Sequence, residues 1–402
     1  MFDRLTEQPA DALLAIIGLY RADPRPEKID LGVGVFRDST GRTPVMAAVK
    51  AAETRLLATQ DSKSYLGPEG DRDFAALTAE LALGPALAAD PRLVALQTPG
   101  GGGALRLAAE LAVAANPEGR IWMGTPTWPN HGDIFRVARL KVETYRAHDI
   151  DRQCLLFDEM TAAFNRAERG DLVLIHGCCH NPTGIDLDPA QWAELTRIVV
   201  ARGLVPLIDF AYQGLGDGLE DDAGGLRGML AAVPEAMVAY SCDKNFALYR
   251  DRVGALFVQA ADAREAGLAR ATALSLARVN WSMPPDHGAA AVRVVLQDTE
   301  LQAQWREELR EMQARLRTIR QGLAANTPAF APLATGNGLF ATLPLSGNQV
   351  AALRRDHAVY VVGSGRCNLA GLNQQNLSRF AEALADVGCG SVPASATGEA
   401  AQ

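Results

Sequence analysis

The sequence predicts an α/β fold: a large domain with a mainly parallel sheet flanked by helices, joined to a smaller α/β domain. Between residues 44 and 300, helical stretches rich in alanine and leucine, such as 104–115, alternate with short apolar runs. This alternation is typical of strand–helix units that build a buried parallel sheet. The runs predicted to be strands are Arg120–Met123, Leu172–His176, Val205–Asp209, Met237–Ser241 and Gly254–Gln259.

A long amphipathic helix is predicted from Thr299 to Asn326. Its apolar residues recur every three or four positions and therefore share one face. They are Leu301, Trp305, Leu309, Met312, Leu316, Ile319 and Leu323. A helix that bridges two domains explains this stripe, and a coiled coil is the alternative. Two further segments, 338–343 and 360–368, follow the helix and predict the smaller α/β unit.

These patterns place the domain boundaries near residues 44 and 311. We expect residues 44–311 to form the large domain, and residues 1–43 together with 312–389 to form the smaller one. Residues 390–402 lack large apolar side chains, which predicts a disordered tail.

The composition argues against several classes of function. The chain has 402 residues and a formal net charge of −8, so it offers no basic footprint for nucleic acid. No apolar run approaches the ~20 residues that cross a bilayer, and the N-terminus lacks the layout of a signal peptide. The six cysteines do not have the spacing of a zinc site. We therefore expect a cytoplasmic protein with reduced thiols, no metal and no membrane partner.

The residues with recognisable chemistry follow predicted strands. Asp209 ends one apolar run, with Tyr212 behind it, and Lys244 follows the run that ends at Ser241. Open α/β sheets bind their ligands at the carboxyl ends of the strands. Alone, Lys244 would be a surface lysine and Asp209 a turn residue or a helix cap. Together they are the amine and the buried carboxylate that pyridoxal phosphate (PLP) requires.

A glycine-rich segment, 97–106, leads into a predicted helix. Gly101 and Gly102 would let backbone N–H groups approach an oxyanion at the start of that helix. The segment lacks the lysine and hydroxyl of a nucleotide-binding P-loop, and alone it could be a flexible turn. With Ser241 and Arg252 available nearby, a phosphate site explains it better.

Six motifs stand in an order and spacing that are typical of one enzyme family. They are Tyr65-Leu66-Gly67, Thr127-Trp128-Pro129-Asn130-His131, His176-Gly177-Cys178-Cys179-His180-Asn181-Pro182-Thr183-Gly184, Asp209-Phe210-Ala211-Tyr212-Gln213-Gly214, Lys244-Asn245-Phe246 and Ser364-Gly365-Arg366. From about residue 10 to about residue 388, the chain resembles the class I aminotransferases, specifically the aspartate/aromatic amino acid aminotransferase group of fold-type I PLP enzymes. The resemblance implies a homodimer whose active sites are shared across the interface.

The resemblance also implies a role for each residue around the cofactor ring. Lys244 would hold PLP covalently and move a proton during catalysis. Asp209 would pair with the protonated pyridine nitrogen. Tyr212 and Asn181 would hydrogen-bond the phenolic oxygen of PLP, and Trp128 would stack on the ring.

The phosphate of PLP would meet a separate set of residues. This set comprises the backbone of Gly101 and Gly102, the side chains of Ser241 and Arg252, and Tyr65 from the neighbouring subunit.

His131 would be the hydrogen-bond partner of Asp209 behind the ring.

Two arginines are implied for the substrate. Arg366 would bind the α-carboxylate with two parallel hydrogen bonds, a geometry that arginine offers and lysine does not. Asn181, Trp128 and the backbone of Gly34 would complete that side of the site. Arg278 would reach across the dimer to the side-chain carboxylate of a dicarboxylic substrate.

Four positions depart from the pattern of the group. Gly102 stands where a hydroxyl residue is usual, and Asp243 stands where serine is usual, directly before Lys244. An acid there would repel the phosphate unless it points away or meets a cation. Met283 and Ser64 replace typical asparagines, which makes that side of the pocket less polar and favours a dual dicarboxylate/aromatic specificity.

The implied function is transfer of an amino group from aspartate, tyrosine or phenylalanine to 2-oxoglutarate, by a ping-pong mechanism with PLP as cofactor. Two alternatives stay open: another PLP reaction on the same scaffold, such as a β-lyase or decarboxylase, and a PLP-binding regulator without activity. Arg278 argues against the first, because a second carboxylate site suits two alternating dicarboxylates. The short segment before the first motif contains no basic recognition helix, which argues against the second.

Overall fold

The computed structural model of the chain describes residues 1–6 and 12–389. The predicted tail, 390–402, lies outside these residues. Within them, the helices are α1 Ala12–Ala22, α2 Ala47–Thr59, α3 Arg72–Leu83, α4 Pro85–Ala88, α5 Gly100–Ala115, α6 Asn130–Val137, α7 Phe157–Arg166, α8 Pro189–Arg202, α9 Asp221–Ala232, α10 Ala263–Trp281, α11 His287–Gln297, α12 Thr299–Asn326, α13 Gly347–His357 and α14 Leu377–Asp386. The strands are β1 Ile29–Asp30, β2 Leu93–Pro99, β3 Arg120–Thr125, β4 Lys141–Arg146, β5 His148–Asp149, β6 Cys154–Leu155, β7 Leu172–His176, β8 Val205–Phe210, β9 Ala236–Ser241, β10 Val253–Gln259, β11 Phe340–Thr342, β12 Val359–Tyr360 and β13 Arg366–Asn368.

Seven strands form the central sheet, in the order β2-β10-β9-β8-β7-β3-β4. β10 runs antiparallel to both β2 and β9, and the other neighbouring pairs are parallel. The predicted mainly parallel sheet is therefore confirmed. The five predicted strands correspond to β3, β7, β8, β9 and β10, and their ends differ from the prediction by two residues at most.

Helices cover both faces of this sheet. Successive residues of a strand point to opposite faces, so Leu207 joins one apolar cluster and Ile208 the other. The first cluster includes Leu105 of α5, and the second includes Leu195 of α8 and Leu226 of α9. Burial on both faces explains why these strands appear in the sequence as continuous apolar runs.

α8 illustrates how the sequence sets the bounds of a helix. Asp188 caps it by accepting a hydrogen bond from the backbone of Gln191, whose side chain bonds back to the cap, and Pro189 takes the first position. The helix ends at Gly203, whose φ of +65° is a left-handed conformation that favours glycine.

α12 has the bounds that the sequence predicts, and its apolar stripe is buried. Trp305 and Leu309 pack into the same cluster as Ile208, whereas Ile319 and Leu323 pack into a third cluster. The helix thus bridges two cores within one chain, which accounts for the stripe without a coiled coil. No helix within the described ranges is both long enough and apolar enough to span a membrane.

The third cluster belongs to the smaller α/β unit. β1 pairs in parallel with β12, and β11 pairs antiparallel with β13. The cluster combines Ile29 near the N-terminus with Val359 and with Phe380 of α14. The predicted combination of a large sheet with a smaller α/β unit is therefore confirmed.

A buried arginine connects α12 to the loop that carries the Asn181–Gly184 motif. Arg320 is only 1% exposed, and it donates hydrogen bonds to the carbonyl oxygens of Asn337 (2.6 Å), Gly338 (3.2 Å) and Phe340. A Cβ atom added to Gly184 would lie 2.3 Å from Nη2 of Arg320. Glycine at 184 therefore lets the loop lie directly against the guanidinium group.

Candidate active site

The candidate site lies at the carboxyl ends of β7, β8 and β9. Asp209 belongs to β8 and is in register with His176, the last residue of β7. Lys244 follows β9, which ends at Ser241. Parallel strands bring these ends to one edge of the sheet, as the sequence predicts.

Asp209 is a buried carboxylate with a hydrogen-bonded support. Its Oδ2 lies 3.0 Å from Nε2 of His131, and Nδ1 of His131 lies 2.8 Å from Oγ1 of Thr127. Burial raises the pKa of Asp209, but the hydrogen bond and the charge of His131, with a smaller contribution from Lys244, outweigh it and leave the pKa below its usual range. Asp209 is therefore an anion held in a fixed orientation.

Lys244 presents its amine to the same pocket. Its Nζ lies 5.3 Å from the ring centroid of Tyr212 and 3.9 Å from Oδ2 of Asp243. Burial lowers the pKa of Lys244, although the carboxylates of Asp243 and Asp209 act in the opposite direction. A lysine with a lowered pKa is a better nucleophile and a better proton acceptor near neutral pH.

Tyr212 and Asn181 form a hydrogen-bonded pair beside this amine. Nδ2 of Asn181 donates to the hydroxyl oxygen of Tyr212 over 3.2 Å. Burial, together with the charge of Asp209, raises the pKa of Tyr212, so the hydroxyl keeps its proton. Oδ1 of Asn181 is buried without a hydrogen-bond partner among the described residues. Such a polar atom marks a place where a ligand can bind.

The glycine-rich segment forms the first turn of α5. Gly100 has a φ of +69°, and a Cβ there would lie 2.5 Å from Nη2 of Arg252. A Cβ on Gly101 would lie 3.1 Å from the Cβ of Ser241. The start of α5, a hydroxyl group and a guanidinium group thus meet in one place, which makes an anion site. Asp243 also meets the guanidinium of Arg252 in an ion pair.

On the side of the smaller unit, Arg366 lies beside an aromatic ring. The arginine is 8% exposed, its Nη2 donates to the carbonyl oxygen of Gly32 over 3.0 Å, and its guanidinium carbon lies 4.9 Å from the ring centroid of Phe340. The same ring approaches Gly34, where a Cβ would lie 2.8 Å from it, and meets Tyr212 edge to face at 6.3 Å. Phe340 therefore lies between Arg366 and Tyr212, and no sequence motif identified it.

Three predicted residues lie at the periphery. Trp128 is half-buried and meets His131 edge to face at 5.3 Å. Tyr65 is 91% exposed, and Arg278 is exposed in the last turn of α10. This single chain therefore does not enclose Tyr65 and Arg278 in the pocket around Lys244.

A row of histidines extends from Asp209 into the protein. Ring centroids are separated by 5.3 Å from His131 to His176, by 4.1 Å from His176 to His180, and by 4.2 Å from His180 to His148. Burial lowers the pKa of His176 to about 3 and that of His148 to about 4, so both rings are neutral near pH 7. Of these four histidines, only His131 was assigned a role from the sequence, as the partner of Asp209. His148 lies far from the His176–Gly184 motif in the sequence, so the row itself was not predicted.

The residues of the pocket fit PLP. PLP presents an aldehyde carbon, a pyridinium nitrogen, a phenolic oxygen and a phosphate. The pocket offers an amine for the aldehyde carbon and a buried carboxylate for the pyridinium nitrogen. It also offers a hydrogen-bonded pair with an unsatisfied amide oxygen for the phenolic oxygen, and an anion site for the phosphate. The fit rests on the chemistry of Lys244, Asp209, Asn181 and the first turn of α5.

Comparisons with known proteins identify the class of enzyme. Residues 26–384 match the family model described as aminotransferase class I and II. The chain is 49% identical to a tyrosine aminotransferase of Rhizobium meliloti (strain 1021) over 95% of this chain and 98% of that one. It is 44% identical to an aspartate aminotransferase of Salmonella typhi over 96% of this chain and 100% of that one.

A solved structure gives the same result. An aromatic-amino-acid aminotransferase from Burkholderia pseudomallei, described as covalently bound to pyridoxal phosphate, superposes with a TM-score of 0.93 at 38% identity. The superposition covers 96% of this chain and 99% of that one. The chain belongs to the class I and II aminotransferases. It is a PLP-dependent enzyme that transfers amino groups, and the fold-type I architecture expected from the sequence is confirmed.

Proposed function

We propose that this enzyme transfers the amino group of aspartate and of the aromatic amino acids tyrosine and phenylalanine to 2-oxoglutarate by a ping-pong mechanism. The observation that carries the proposal is the arrangement of Lys244, Asp209 and Tyr212 at one edge of the sheet. The tyrosine and aspartate aminotransferase relatives support both kinds of donor. They also favour amino transfer over the β-lyase, decarboxylase and regulator alternatives.

Lys244 is the catalytic base in this proposal. When bound, PLP supplies an electron sink for the charge that develops at the substrate Cα. The amine of Lys244 removes the proton from Cα, and its lowered pKa makes the neutral amine more available for that step. Asp209 stays ionised because its pKa is lowered, and it would hold the proton on the pyridine nitrogen.

The remaining cofactor residues fix the ring and the phosphate. Tyr212 and Asn181 would hold the phenolic oxygen, and Trp128 would cover the ring face. The phosphate is assigned to the backbone of Gly101 and Gly102, to Ser241 and Arg252, and to Tyr65 from the second subunit.

Substrate binding is assigned to two arginines with different tasks. Arg366, supported by Asn181, Trp128 and the backbone of Gly34, binds the α-carboxylate that all substrates share. Its burial beside Phe340 supports this, because a charge-assisted bond gains strength away from water. Arg278 binds a distal carboxylate from across a homodimer interface, which is consistent with its exposed position at the end of α10.

The aromatic donors are assigned to the less polar side of the pocket. Sδ of Met283 accepts a hydrogen bond from the backbone of Leu66 over 3.2 Å, so it lies next to the segment that carries Tyr65. A thioether packs well against an aromatic ring. Ser64 likewise replaces a larger polar side chain, which favours a phenyl or phenol group there.

The domain division and the location also belong to the proposal. The large domain comprises 44–311, and the smaller one comprises 1–43 with 312–389; the separate apolar cluster of the smaller unit supports this division. A cytoplasmic location is proposed on the six cysteines, all of them free thiols in the structure.

A panel of half-reactions tests the function. The PLP enzyme is mixed with aspartate, tyrosine, phenylalanine or lysine, without an oxo acid, and the absorbance of the cofactor is followed. We expect the first three to convert PLP to pyridoxamine phosphate, 2-oxoglutarate to reverse the change, and lysine to react poorly. Release of carbon dioxide or ammonia in place of a stoichiometric oxo acid would contradict amino transfer.

A further inference from the structure

The anion site of this enzyme already contains an acid. Asp243 is 4% exposed, and its Oδ2 pairs with Nη1 of Arg252, the guanidinium assigned to the cofactor phosphate. The same Oδ2 lies 3.9 Å from the amine of Lys244. Its Oδ1 is buried and has no hydrogen-bond partner among the described residues.

The carboxylate lies at the start of α5, where the phosphate is expected. A Cβ on Gly100 would lie 3.3 Å from Oδ2 of Asp243 and 2.5 Å from Nη2 of Arg252. The ion pair therefore touches the first turn of the helix. The N-terminus of a helix favours an anion there, and Asp243 supplies one from within the chain.

We propose that Asp243 is an internal counter-ion that competes with the phosphate of PLP for Arg252, so that the enzyme holds its cofactor less tightly than a neutral residue at 243 would allow. This inference rests on the proposed assignment of the phosphate to the start of α5. A phosphate carries up to two negative charges. On binding, it must either displace the carboxylate from Arg252 or share the guanidinium at the cost of like-charge repulsion.

The surroundings offer little compensation for that repulsion. Arg252 supplies the guanidinium group of the anion site. Its side chain is 45% exposed, which leaves it room to face either the Asp243 carboxylate or the phosphate. A Cβ on Gly102 would meet nothing within 4 Å, so the space for a hydroxyl group is present but the group is not. Ser241 is then the hydroxyl group that remains at this end of β9.

The alternative role of Asp243 on the same geometry has the opposite effect. The carboxylate could hold Arg252 in the orientation that the phosphate needs, and its removal would then weaken PLP binding. The two roles predict opposite changes in PLP binding. Competition for Arg252 predicts tighter binding after removal of the charge, whereas orientation of Arg252 predicts weaker binding.

The experiment measures binding to the cofactor-free, full-length chain. The dissociation constants of PLP and of pyridoxal, which lacks the phosphate, are determined by fluorescence titration for wild type, Asp243→Ser and Asp243→Asn. The rise in melting temperature caused by inorganic phosphate is measured in parallel. Asp251→Asn is the matched control. It removes the carboxylate of the residue that precedes Arg252 in the sequence, and the side chain of Asp251 packs against Gly288.

We expect the dissociation constant of PLP to fall by about tenfold or more in both Asp243 variants, because each substitution removes a like charge from a partly buried site. The stabilisation by inorganic phosphate should increase, and the dissociation constant of pyridoxal should stay within about twofold, because pyridoxal lacks the charge that Asp243 opposes. Asp251→Asn should match wild type.

Unchanged or weaker binding of PLP and phosphate by both variants would overturn the inference, and so would an equal gain for pyridoxal. The phosphate measurement does not depend on amino transfer. A failure of the half-reaction panel with a retained gain in phosphate binding would therefore refute the proposed function and leave the role of Asp243 in place.

Discussion

Replacing His148 with glutamine should make the protein less sensitive to mild acid. The free energy of unfolding should fall less between pH 7.5 and pH 5 in this variant than in wild type. Burial lowers the pKa of His148 from 6.5 to about 4, so the folded chain keeps the ring neutral where the unfolded chain protonates it. A group with a lowered pKa stabilises the fold above its unfolded pKa, and this contribution is lost as pH falls toward the folded pKa. The window therefore runs from about pH 6.5 down to about pH 4.

The magnitude follows from the two pKa values. At pH 5 the ring is mostly protonated in the unfolded chain and mostly neutral in the folded chain. At about 1.4 kcal/mol per pKa unit, this difference lowers the free energy of unfolding by about 2 kcal/mol relative to pH 7.5. His176, with a pKa of about 3, contributes a similar loss. The glutamine variant should therefore show a pH-dependent loss that is smaller by about 2 kcal/mol.

The assay is urea unfolding at pH 7.5 and at pH 5 with saturating PLP. The difference between the two pH values is compared for wild type, His148→Gln and the control His287→Gln, whose ring is 50% exposed. Effects of pH on cofactor binding cancel in this comparison. An unchanged difference in His148→Gln, or an equal reduction in His287→Gln, would refute the reasoning from burial.

Three further predictions concern the catalytic groups. Lys244→Ala should abolish turnover with the fold intact, and borohydride reduction of the native enzyme followed by peptide mapping should label Lys244; label on another lysine would exclude it. Asp209→Ala should lower kcat by orders of magnitude and Asp209→Glu by less, whereas near-normal turnover of the alanine variant would leave Asp209 a purely structural role. In the amino-donor half-reaction, Arg366→Ala should lower kcat/KM for aspartate and phenylalanine alike. Arg278→Ala should lower it roughly tenfold to a few hundredfold for aspartate only, and equal losses for both donors would show that Arg278 does not read the side chain.

The buried strands were predictable, but the edge strands of the sheet were not. β7 and β8 have apolar side chains on both faces, so they stand out as continuous runs. β4 is mostly exposed, and it lacks such a run. β2 contains two polar residues that are fully buried, Gln97 and Thr98. Gln97 is satisfied by hydrogen bonds with the backbone of Asp71 and of Pro285, which are distant in the sequence. Hydrogen bonds between distant residues leave no periodic signal in the sequence.

The same limit applies to the candidate site. Asp209 lies near the end of β8 and Lys244 follows β9, so their position could be inferred from local sequence. Phe340 reaches Arg366, and His148 reaches the far end of the histidine row, through tertiary packing, and neither has a neighbouring motif. For Asp243 the sequence posed two outcomes, an acid that points away or one that meets a cation. The structure selects the second, with Arg252 as the cation.

Arg320 has a consequence for any attempt to redesign the substrate range. Its guanidinium bonds to the backbone of Phe340, and it lies against Gly184 in the loop that carries Asn181. Thr342, two residues after Phe340, also donates a hydrogen bond to the carbonyl oxygen of Pro182 over 3.0 Å. A substitution at 340 that shifts the backbone to admit a larger donor will therefore also displace Asn181, the amide proposed to bind the cofactor. Selectivity and turnover should change together at this position, so libraries aimed at substrate range alone are better directed at Met283 and Ser64.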